Sequence, residues 1–328
     1  TKRSKRKSLS IYIIIFHMHH KAKKLLESMY KLGRVPSSLL FFGKEGVGKK
    51  TVAFDFAKAL LCMKRTFPAC NDCPSCFHMN EFSKKPVEDL RVYSDTSTGR
   101  KVFLYLQGDH PDFIYLQPEK DEIKIDQIRG VIDFVNLRPA LSPKKVVLVW
   151  PAEAMNPYSQ NALLKTLEEP PEDTHFILVC NILDRILPTV RSRSYTVEFE
   201  ELSEEDIKKL TGIEDRVILS LSEGSITKAK ELSQKSHIID MAKKVLSGSV
   251  LDVYKLSTQL ENLSYEDQKL FLHTLEAMLH KKMLENKENY EIYERLIDRT
   301  VLVSDNLKRG LKLNLFVFYL KILLSEVM

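Results

Sequence analysis

Four of the five cysteines lie close together in the sequence, at a spacing typical of metal ligands. They form the pattern C-x7-C-x2-C-x2-C with Cys62, Cys70, Cys73 and Cys76. The last three can chelate from one tight turn, and Cys62 can close the cage from the end of a preceding helix. Four thiolates leave no open coordination position, so the pattern predicts a structural Zn²⁺ rather than a catalytic metal or disulfides. Unrelated buried thiols are the alternative reading, which we prefer for Cys180 in a core strand.

A glycine-rich segment has the composition of a phosphate-binding loop. Residues 43–50 read GKEGVGKK and nearly match the P-loop pattern G-x-x-x-x-G-K-[ST]. Backbone N–H groups of such a loop cradle phosphate at a helix N-terminus. Here Lys50 occupies the position of the hydroxyl that binds magnesium, and an ammonium cannot ligate a cation. We therefore expect poor Mg²⁺ coordination, and ATP binding stays in doubt. The candidate residues of this degenerate loop are Gly43, Gly46, Gly48, Lys49, Lys50 and Thr51.

Composition and charge place these residues in an ordinary globular protein. The 328 residues are 44% hydrophobic and 29% charged, with a net charge of +6. This charge is compatible with contact to nucleic acid and equally with a plain solvated surface. Residues 11–16 form the longest apolar run, far short of the ~20 residues that cross a bilayer. We expect a cytoplasmic chain with no membrane segment, and a disordered basic arm over residues 1–7.

The apolar pattern predicts a parallel α/β domain that positions the loop and the cysteines. A buried strand, the glycine loop and a helix follow one another over residues 38–61. We also expect a local β-hairpin insertion, with a loop tip at 94–100 and a strand at 102–106. The other predicted strands cover 113–116, 145–150, 175–180 and 195–199. The other predicted helices of this domain cover 18–32, 126–134 and 157–169.

After residue 200 the strand signals end. Residues 203–210, 214–221 and 225–233 predict three short helices, which form a small lid domain. Longer amphipathic helices follow, notably at 266–285 and 306–327. The segment 315–324 is apolar nearly all round, so we expect it to be buried against partner helices. The predicted domains are an α/β domain at 1–200 with a zinc module at 62–76, the lid at 201–236 and an all-α collar at 237–328.

Two sequence motifs resemble a known family. Residues 161–171 read NALLKTLEEPP, and Ser192-Arg193-Ser194 follows a predicted strand. Both resemble the clamp-loader branch of the AAA+ proteins, over about the first two thirds of the chain. The resemblance implies a RecA-like parallel sheet with a helical lid and an oligomerising collar. It also implies a zinc module at the position of the cysteines, and His110-Pro111-Asp112 resembles a structural segment before the family's next strand.

The resemblance also exposes two further departures from an active ATPase. In active relatives the strand matching residues 145–149 ends in Asp-Glu, which holds the metal and orients the attacking water. This chain has Trp150-Pro151 there, and neither residue carries a carboxylate. In the lid, Thr227 stands where active relatives carry a nucleotide-sensing arginine. Together with Lys50, these losses predict a subunit that does not hydrolyse ATP.

Arg193 is the candidate catalytic residue, with Ser192 beside it, and it would act in the nucleotide site of a neighbouring subunit. Ser192-Arg193-Ser194 occupies the family's Ser-Arg-Cys motif, in which the arginine projects into the adjacent subunit's nucleotide site. A guanidinium is always charged and planar, which suits the stabilisation of a transferred phosphoryl group. The resemblance implies gamma/tau and delta clamp-loader subunits as partners, and through the complex the sliding clamp and primed DNA. Contact with DNA would be independent of sequence.

Two alternatives stay open. An active gamma/tau-like clamp-loader ATPase is favoured by Gly48 and Lys49, and opposed by Lys50, Trp150 and Thr227. A zinc-dependent nucleic-acid-binding module is the weaker one, because no recognition helix with paired histidines follows the cysteines. A surface ion pair is the ordinary role of an isolated arginine such as Arg193.

Overall fold

The computed structural model describes residues 18–95, 101–307 and 312–325, which form two compact units. The first unit ends at Leu202 and the second begins at Ser203. The predicted basic arm at residues 1–7 lies outside the described residues. The division of the chain into three domains stays a prediction. In the described part of the chain, the helices are too short or too polar to span a membrane.

The first unit is built on a seven-stranded sheet with the order β2-β3-β4-β5-β6-β1-β7. Neighbouring strands from β4 to β7 in this order run parallel, whereas β2 and β3 form an antiparallel hairpin that pairs with β4. The predicted β-hairpin is therefore confirmed, and residues 96–100 of its predicted tip lie outside the described residues. The strands are β1 Ser38–Gly43, β2 Arg91–Asp95, β3 Lys101–Leu106, β4 Phe113–Leu116, β5 Lys145–Val149, β6 Thr174–Cys180 and β7 Tyr195–Phe199.

Helices cover both faces of this sheet. On one face α4 and α5 share a buried core with side chains of β1, β4, β5 and β6. On the other face α2 packs against β1, β5 and β6. The central strands β4, β5 and β6 are buried along their whole length, which explains their continuous apolar sequence. The helices of this unit are α1 His20–Lys31, α2 Lys49–Leu61, α3 Pro74–Phe82, α4 Ile125–Asn136, α5 Pro157–Glu168 and α6 Pro188–Arg191.

The second unit is helical throughout its described residues. Its first helix begins at an N-cap, because Ser203 Oγ accepts a hydrogen bond from the Asp206 N–H at 3.1 Å. Its core gathers side chains from α10 to α14, including Leu256, Phe271 and Leu320. The helices are α7 Glu204–Thr211, α8 Arg216–Leu221, α9 Ile226–Gln234, α10 Ser236–Ser247, α11 Val250–Glu261, α12 Tyr265–Glu285, α13 Tyr290–Asn306 and α14 Leu313–Ser325.

The C-terminal helix differs from one expectation and meets another on one face only. A single helix was predicted over 306–327, but Asn306 belongs to α13 and the last helix begins at Leu313. Within this chain the helix is buried on one face only. Leu315, Tyr319 and Ile322 are 66%, 40% and 43% exposed, while the opposite face is buried. Apolar composition alone cannot tell a face that packs within the chain from one that does not.

Candidate functional site

The glycine-rich loop joins β1 to the N-terminus of α2, as the sequence predicts. Gly43, Gly46 and Gly48 adopt positive φ angles of 147°, 80° and 100°. At Gly43 a Cβ atom would lie 2.2 Å from the carbonyl oxygen of Phe199, so no other residue fits there. Gly48 is the N-cap of α2, and Lys49 to Thr51 form the first turn of that helix. The backbone therefore has the strand, loop and helix order of a phosphate-binding turn.

The Lys49 side chain is folded back into the protein. Its Nζ donates to the carbonyl oxygens of Gly43 at 2.7 Å and Lys44 at 2.6 Å, and to Asn181 Oδ1 at 2.9 Å. An ammonium has three N–H donors, so these bonds use all of them. Lys49 is 2% exposed, and burial lowers its pKa to about 8. The lysine that the P-loop pattern predicts to contact phosphate thus donates its hydrogen bonds to acceptors of its own chain.

The surroundings of Lys49 differ from those of a catalytic metal site. Its Nζ lies 5.8 Å from the ring centroid of Trp150, which follows β5 where the resemblance implies a carboxylate. Lys50 Nζ lies 5.0 Å from the ring centroid of Tyr115, and burial lowers the pKa of Lys50. Two aromatic rings therefore face the two ammonium groups of the loop.

Two polar residues that the sequence analysis missed lie beside Lys49. Asn181 accepts a hydrogen bond from the ammonium, and its own N–H donates to Glu153 Oε1 at 2.8 Å. Glu153 Oε2 is buried and has no hydrogen-bond partner in the described structure. Asn181 was detectable, since it directly follows β6 at the carboxyl edge of the parallel strands, where ligands bind in such sheets. Glu153 lies in a short 3₁₀ helix, Ala152–Ala154, which has no apolar periodicity from which it could be predicted.

Arg193 lies in the turn between α6 and β7, separate from the glycine loop in its contacts. Its Nε donates to Glu168 Oε1 at 2.5 Å, and its Nη1 donates to the Thr189 carbonyl oxygen at 2.9 Å and to Ser192 Oγ at 3.3 Å. The side chains of Arg193 and Glu168 are 33% and 46% exposed. An ion pair this accessible contributes at most about 1 kcal/mol, so water or another partner can replace it.

Ser194 fixes this turn to the sheet. Its Oγ lies 2.8 Å from Ser38 Oγ at the start of β1, and it donates to the Val190 carbonyl oxygen at 3.0 Å. Val190 is fully buried in the core shared with α4 and α5. The turn that presents Arg193 is therefore held by the first strand of the sheet and by the core.

The four predicted metal ligands come together. The Sγ atoms of Cys62, Cys70, Cys73 and Cys76 all lie within 4.8 Å of one another. Cys70 Sγ and Cys76 Sγ are 3.8 Å apart, which equals the edge of about 3.8 Å of a tetrahedron with Zn–S bonds of about 2.3 Å. None of the four is in a disulfide. The cluster could hold a metal ion and offers it four sulfurs.

Backbone geometry prepares the cysteine cluster for thiolates. Cys62 is the C-cap of α2, and Cys73 is the N-cap of α3. The N–H of Cys73 points to Cys70 Sγ at 3.4 Å, and the N–H of Cys76 to Cys73 Sγ at 3.5 Å. Such donors stabilise negative sulfur and orient it toward a shared centre. The predicted arrangement of a tight turn closed by a helix end is confirmed.

A buried polar network connects the cysteine cluster to the sheet. Ser75 Oγ and Ser142 Oγ both donate to the Leu61 carbonyl oxygen at 2.8 Å, and both lie near His110 Nε2, at 2.8 and 3.1 Å. Leu61 and Ser75 are sequence neighbours of cysteines in the cluster. Burial lowers the pKa of His110 to about 4, so the ring is neutral. The Asp112 carboxylate accepts three backbone N–H bonds at 2.7 Å.

Thr227, at the position where the resemblance implies a nucleotide-sensing arginine in active relatives, lies near the start of α9. Ser225 is the N-cap of this helix and accepts a hydrogen bond from the Lys228 N–H at 3.2 Å. Thr227 lies in the first turn, and Lys228 pairs with Glu223 at 3.2 Å.

The fold and the loop define a mixed α/β protein with a P-loop-like turn, and comparison with known proteins identifies its family. The family model described as "DNA polymerase III, delta subunit" matches residues 18–203, more than half of the chain. The chain therefore belongs to the DNA polymerase III delta-subunit family, within the clamp-loader branch of the AAA+ proteins. The resemblance found in the sequence is confirmed.

Named relatives include both delta-prime and gamma subunits. The chain is 37% identical over 157 residues to DNA polymerase III subunit delta′ of Pseudomonas aeruginosa, covering 47% of this chain and 40% of the relative. It is 28% identical over 234 residues to subunit delta′ of Bacillus subtilis, covering 68% and 61%. It is 32% identical over 185 residues to subunit gamma of Buchnera aphidicola subsp. Schizaphis graminum, covering 56% and 44%. The matches thus span between 40% and 61% of these relatives' lengths.

Proposed function

We propose that this chain is a delta-prime-type subunit of a DNA polymerase III clamp loader that does not hydrolyse ATP. In this role it donates Arg193 to the nucleotide site of a neighbouring gamma/tau subunit. It also helps the complex, which includes a delta subunit, to place the sliding clamp on primed DNA. The work is done in the cytoplasm, and contact with DNA is through phosphates and independent of sequence.

The state of Lys49 carries the first half of this proposal. Its ammonium donates to Gly43, Lys44 and Asn181, so binding of a triphosphate would have to replace internal hydrogen bonds. The position after β5 holds an indole ring, and Lys50 follows where a hydroxyl would bind magnesium. Hydrolysis needs a metal that bridges the phosphates, and these residues supply no oxygen ligand for it.

The position of Arg193 supports the second half. Its side chain is one third exposed and anchored through a turn that the sheet and core hold rigidly. An arginine finger accelerates phosphoryl transfer by about 10³–10⁵-fold, which corresponds to about 4–7 kcal/mol. The exposed pair with Glu168 costs at most about 1 kcal/mol to break. Donation to a neighbour is therefore energetically accessible.

We further propose that the cysteine cluster binds one structural Zn²⁺. Four sulfurs within 4.8 Å of one another would fill the four positions of a tetrahedral Zn²⁺ and leave none for water or substrate, so the metal would have no catalytic step. Cys62 would fix the end of α2, and Cys73 and Cys76 the start of α3. The metal would thereby join the end of α2 to the start of α3.

The helical second unit is proposed to hold the ring together. Leu315, Tyr319 and Ile322 form an exposed apolar stripe on α14, at spacings of four and three residues. Such a stripe is what a helix presents to a partner helix. Its exposure, which the sequence did not predict, supports a collar at residues 237–328 that packs against other subunits.

Reconstitution tests the proposal directly. The whole chain, with Arg193→Ala or unchanged, is assembled with gamma/tau subunits, a delta subunit, clamp and primed DNA. We expect Arg193→Ala to lower the DNA-stimulated ATPase while the complex still assembles. Arg191→Ala is the matched control, since Arg191 ends α6 two residues before Arg193, is one third exposed and pairs with Asp184 at 3.5 Å. Unchanged ATPase with Arg193→Ala would refute the finger, and brisk turnover by the isolated chain would refute the lack of hydrolysis.

An active gamma/tau-type ATPase is the second candidate. It is favoured by the loop geometry around Gly48 and Lys49 and by the relative named as a gamma subunit. Magnesium-dependent ATP binding by the isolated chain, measured by calorimetry, would favour this candidate over the first.

A further inference from the structure

Lys58 is a buried cation beside the cysteine cluster. It lies on α2, one helical turn before Cys62, and is only 7% exposed. A buried ammonium is costly unless it has hydrogen-bond acceptors and a compensating negative charge nearby. The partners of Lys58 therefore indicate why the chain keeps a charge at this position.

The hydrogen bonds of Lys58 reach both sequence segments that carry the other cysteines. Its Nζ donates to Oδ1 of Asn71, which lies in the turn between Cys70 and Cys73. It also donates to Oδ1 of Asn80 on α3, at 2.5 Å. Asn71 has a positive φ of 59°, and its amide donates to the Ala69 carbonyl oxygen at 3.1 Å. Both acceptors are neutral amides, so they orient the ammonium without neutralising it.

The groups near Lys58 that can carry a negative charge belong mainly to the cysteine cluster. Burial lowers the pKa of Lys58, and Cys76, Asp55, Cys70 and Cys62 lie near enough to oppose that effect when they are ionised. Asp55 is the one carboxylate in this set, and burial raises its own pKa to about 6. The other three are candidate ligands. Four thiolates around Zn²⁺ carry a net double negative charge, whereas four thiols without metal are neutral.

A positive charge at Lys58 consequently favours the metal-bound state over the metal-free state. We propose that Lys58 is a positioning residue of the metal site, whose ammonium offsets the charge of the zinc–thiolate centre. Through Asn71 and Asn80 the same group holds the cysteine turn and α3 around the metal. This inference rests on the proposed Zn²⁺ site and adds a residue outside the ligand set.

The test measures metal affinity in the whole purified chain. Zn²⁺ binding is followed by competition with a chromophoric chelator, and Co²⁺ binding by its thiolate charge-transfer absorption. Lys58→Gln removes the charge and keeps a donor, and we expect about 10–100-fold weaker Zn²⁺ binding. Asn80→Asp keeps the shape and acceptor but neutralises the ammonium, and we expect weakening in the same direction. Lys64→Gln is the control, because Lys64 is an exposed cation that pairs with Asp72 in the same module.

The outcomes separate this inference from the proposed metal site. If the wild-type chain binds neither Zn²⁺ nor Co²⁺ through thiolates, both the proposed metal site and the role of Lys58 are refuted. Wild-type chain that binds Zn²⁺ while Lys58→Gln binds it equally well would overturn the role of Lys58 alone. Should Lys58→Gln not fold, Asn80→Asp decides, and undiminished affinity in that variant would overturn the inference. Equal losses in Lys58→Gln and Lys64→Gln would also do so, because they would indicate a general surface-charge effect.

Discussion

Replacement of Lys49 by methionine distinguishes a structural lysine from a phosphate-binding one. In a working P-loop this lysine contacts the nucleotide, so its loss abolishes binding and hardly affects stability. Here it bonds the carbonyl oxygens of Gly43 and Lys44 and the Asn181 amide inside the chain. Hydrogen bonds to a charged donor contribute about 1.5–3 kcal/mol each. Relief of the cost of burying the ammonium offsets part of their sum, so we expect Lys49→Met to lower the free energy of unfolding by about 1–3 kcal/mol.

The assay is urea and thermal unfolding of the whole chain, with ATP titration in parallel. The expected loss corresponds to a fall of about 2–12 °C in the Tm of the first unit. ATP binding should stay equally weak in both proteins. Lys50→Met is the control, since Lys50 is a neighbouring lysine whose ammonium faces the Tyr115 ring. A Lys49→Met protein with wild-type stability and lost ATP binding would show that the lysine serves a nucleotide, and our reasoning would be wrong.

Two further predictions concern the polar groups that support the sheet. Asp112→Asn places an NH₂ group against a cluster of three N–H donors, so we expect the free energy of unfolding to fall by about 2–4 kcal/mol in urea titrations. Asp109→Asn, at an exposed pair with Lys85, should cost less than about 1 kcal/mol, and an equally mild Asp112→Asn would contradict the prediction. Burial, together with the charge of Lys144, lowers the pKa of His175 to about 4. Between pH 6.5 and 4 this histidine therefore binds a proton in the unfolded state but not in the folded state. The free energy of unfolding should therefore fall as the pH falls through this window. His175→Gln should reduce the slope of that free energy against pH by up to about 1.4 kcal/mol per pH unit. An unchanged slope would refute the prediction.

Much of the first unit could be predicted because its signals are local. Two strands were predicted to the residue: Phe113–Leu116 is a short apolar run, and Tyr195–Phe199 alternates apolar and polar residues. The cysteine cluster was predictable for a different reason. Metal coordination demands both residue type and spacing, and few other structures require the same pattern.

What the sequence missed depends on contacts between distant residues. The glycine loop reads as a phosphate site, yet Asn181, which takes one hydrogen bond from Lys49, lies 132 residues further along the chain. The role of Lys58 is equally hidden, because a lysine on an amphipathic helix ordinarily faces solvent. On α14 the helical pattern was correct, but its two apolar faces have different environments. Apolar periodicity predicts the helix, but it does not predict which residues pack against each of its faces.

The hairpin of β2 and β3 has a consequence for the solubility of the chain. Without it, the buried strand β4 would be the last strand of the parallel sheet and would present unpaired N–H and C=O groups beside an apolar sequence. Such an open edge is a template for pairing with other chains and for aggregation. In its place stands β2, which is short, mostly exposed and begins and ends with the charged residues Arg91 and Asp95. The hairpin thus ends this edge of the sheet with a strand that disfavours pairing with further strands.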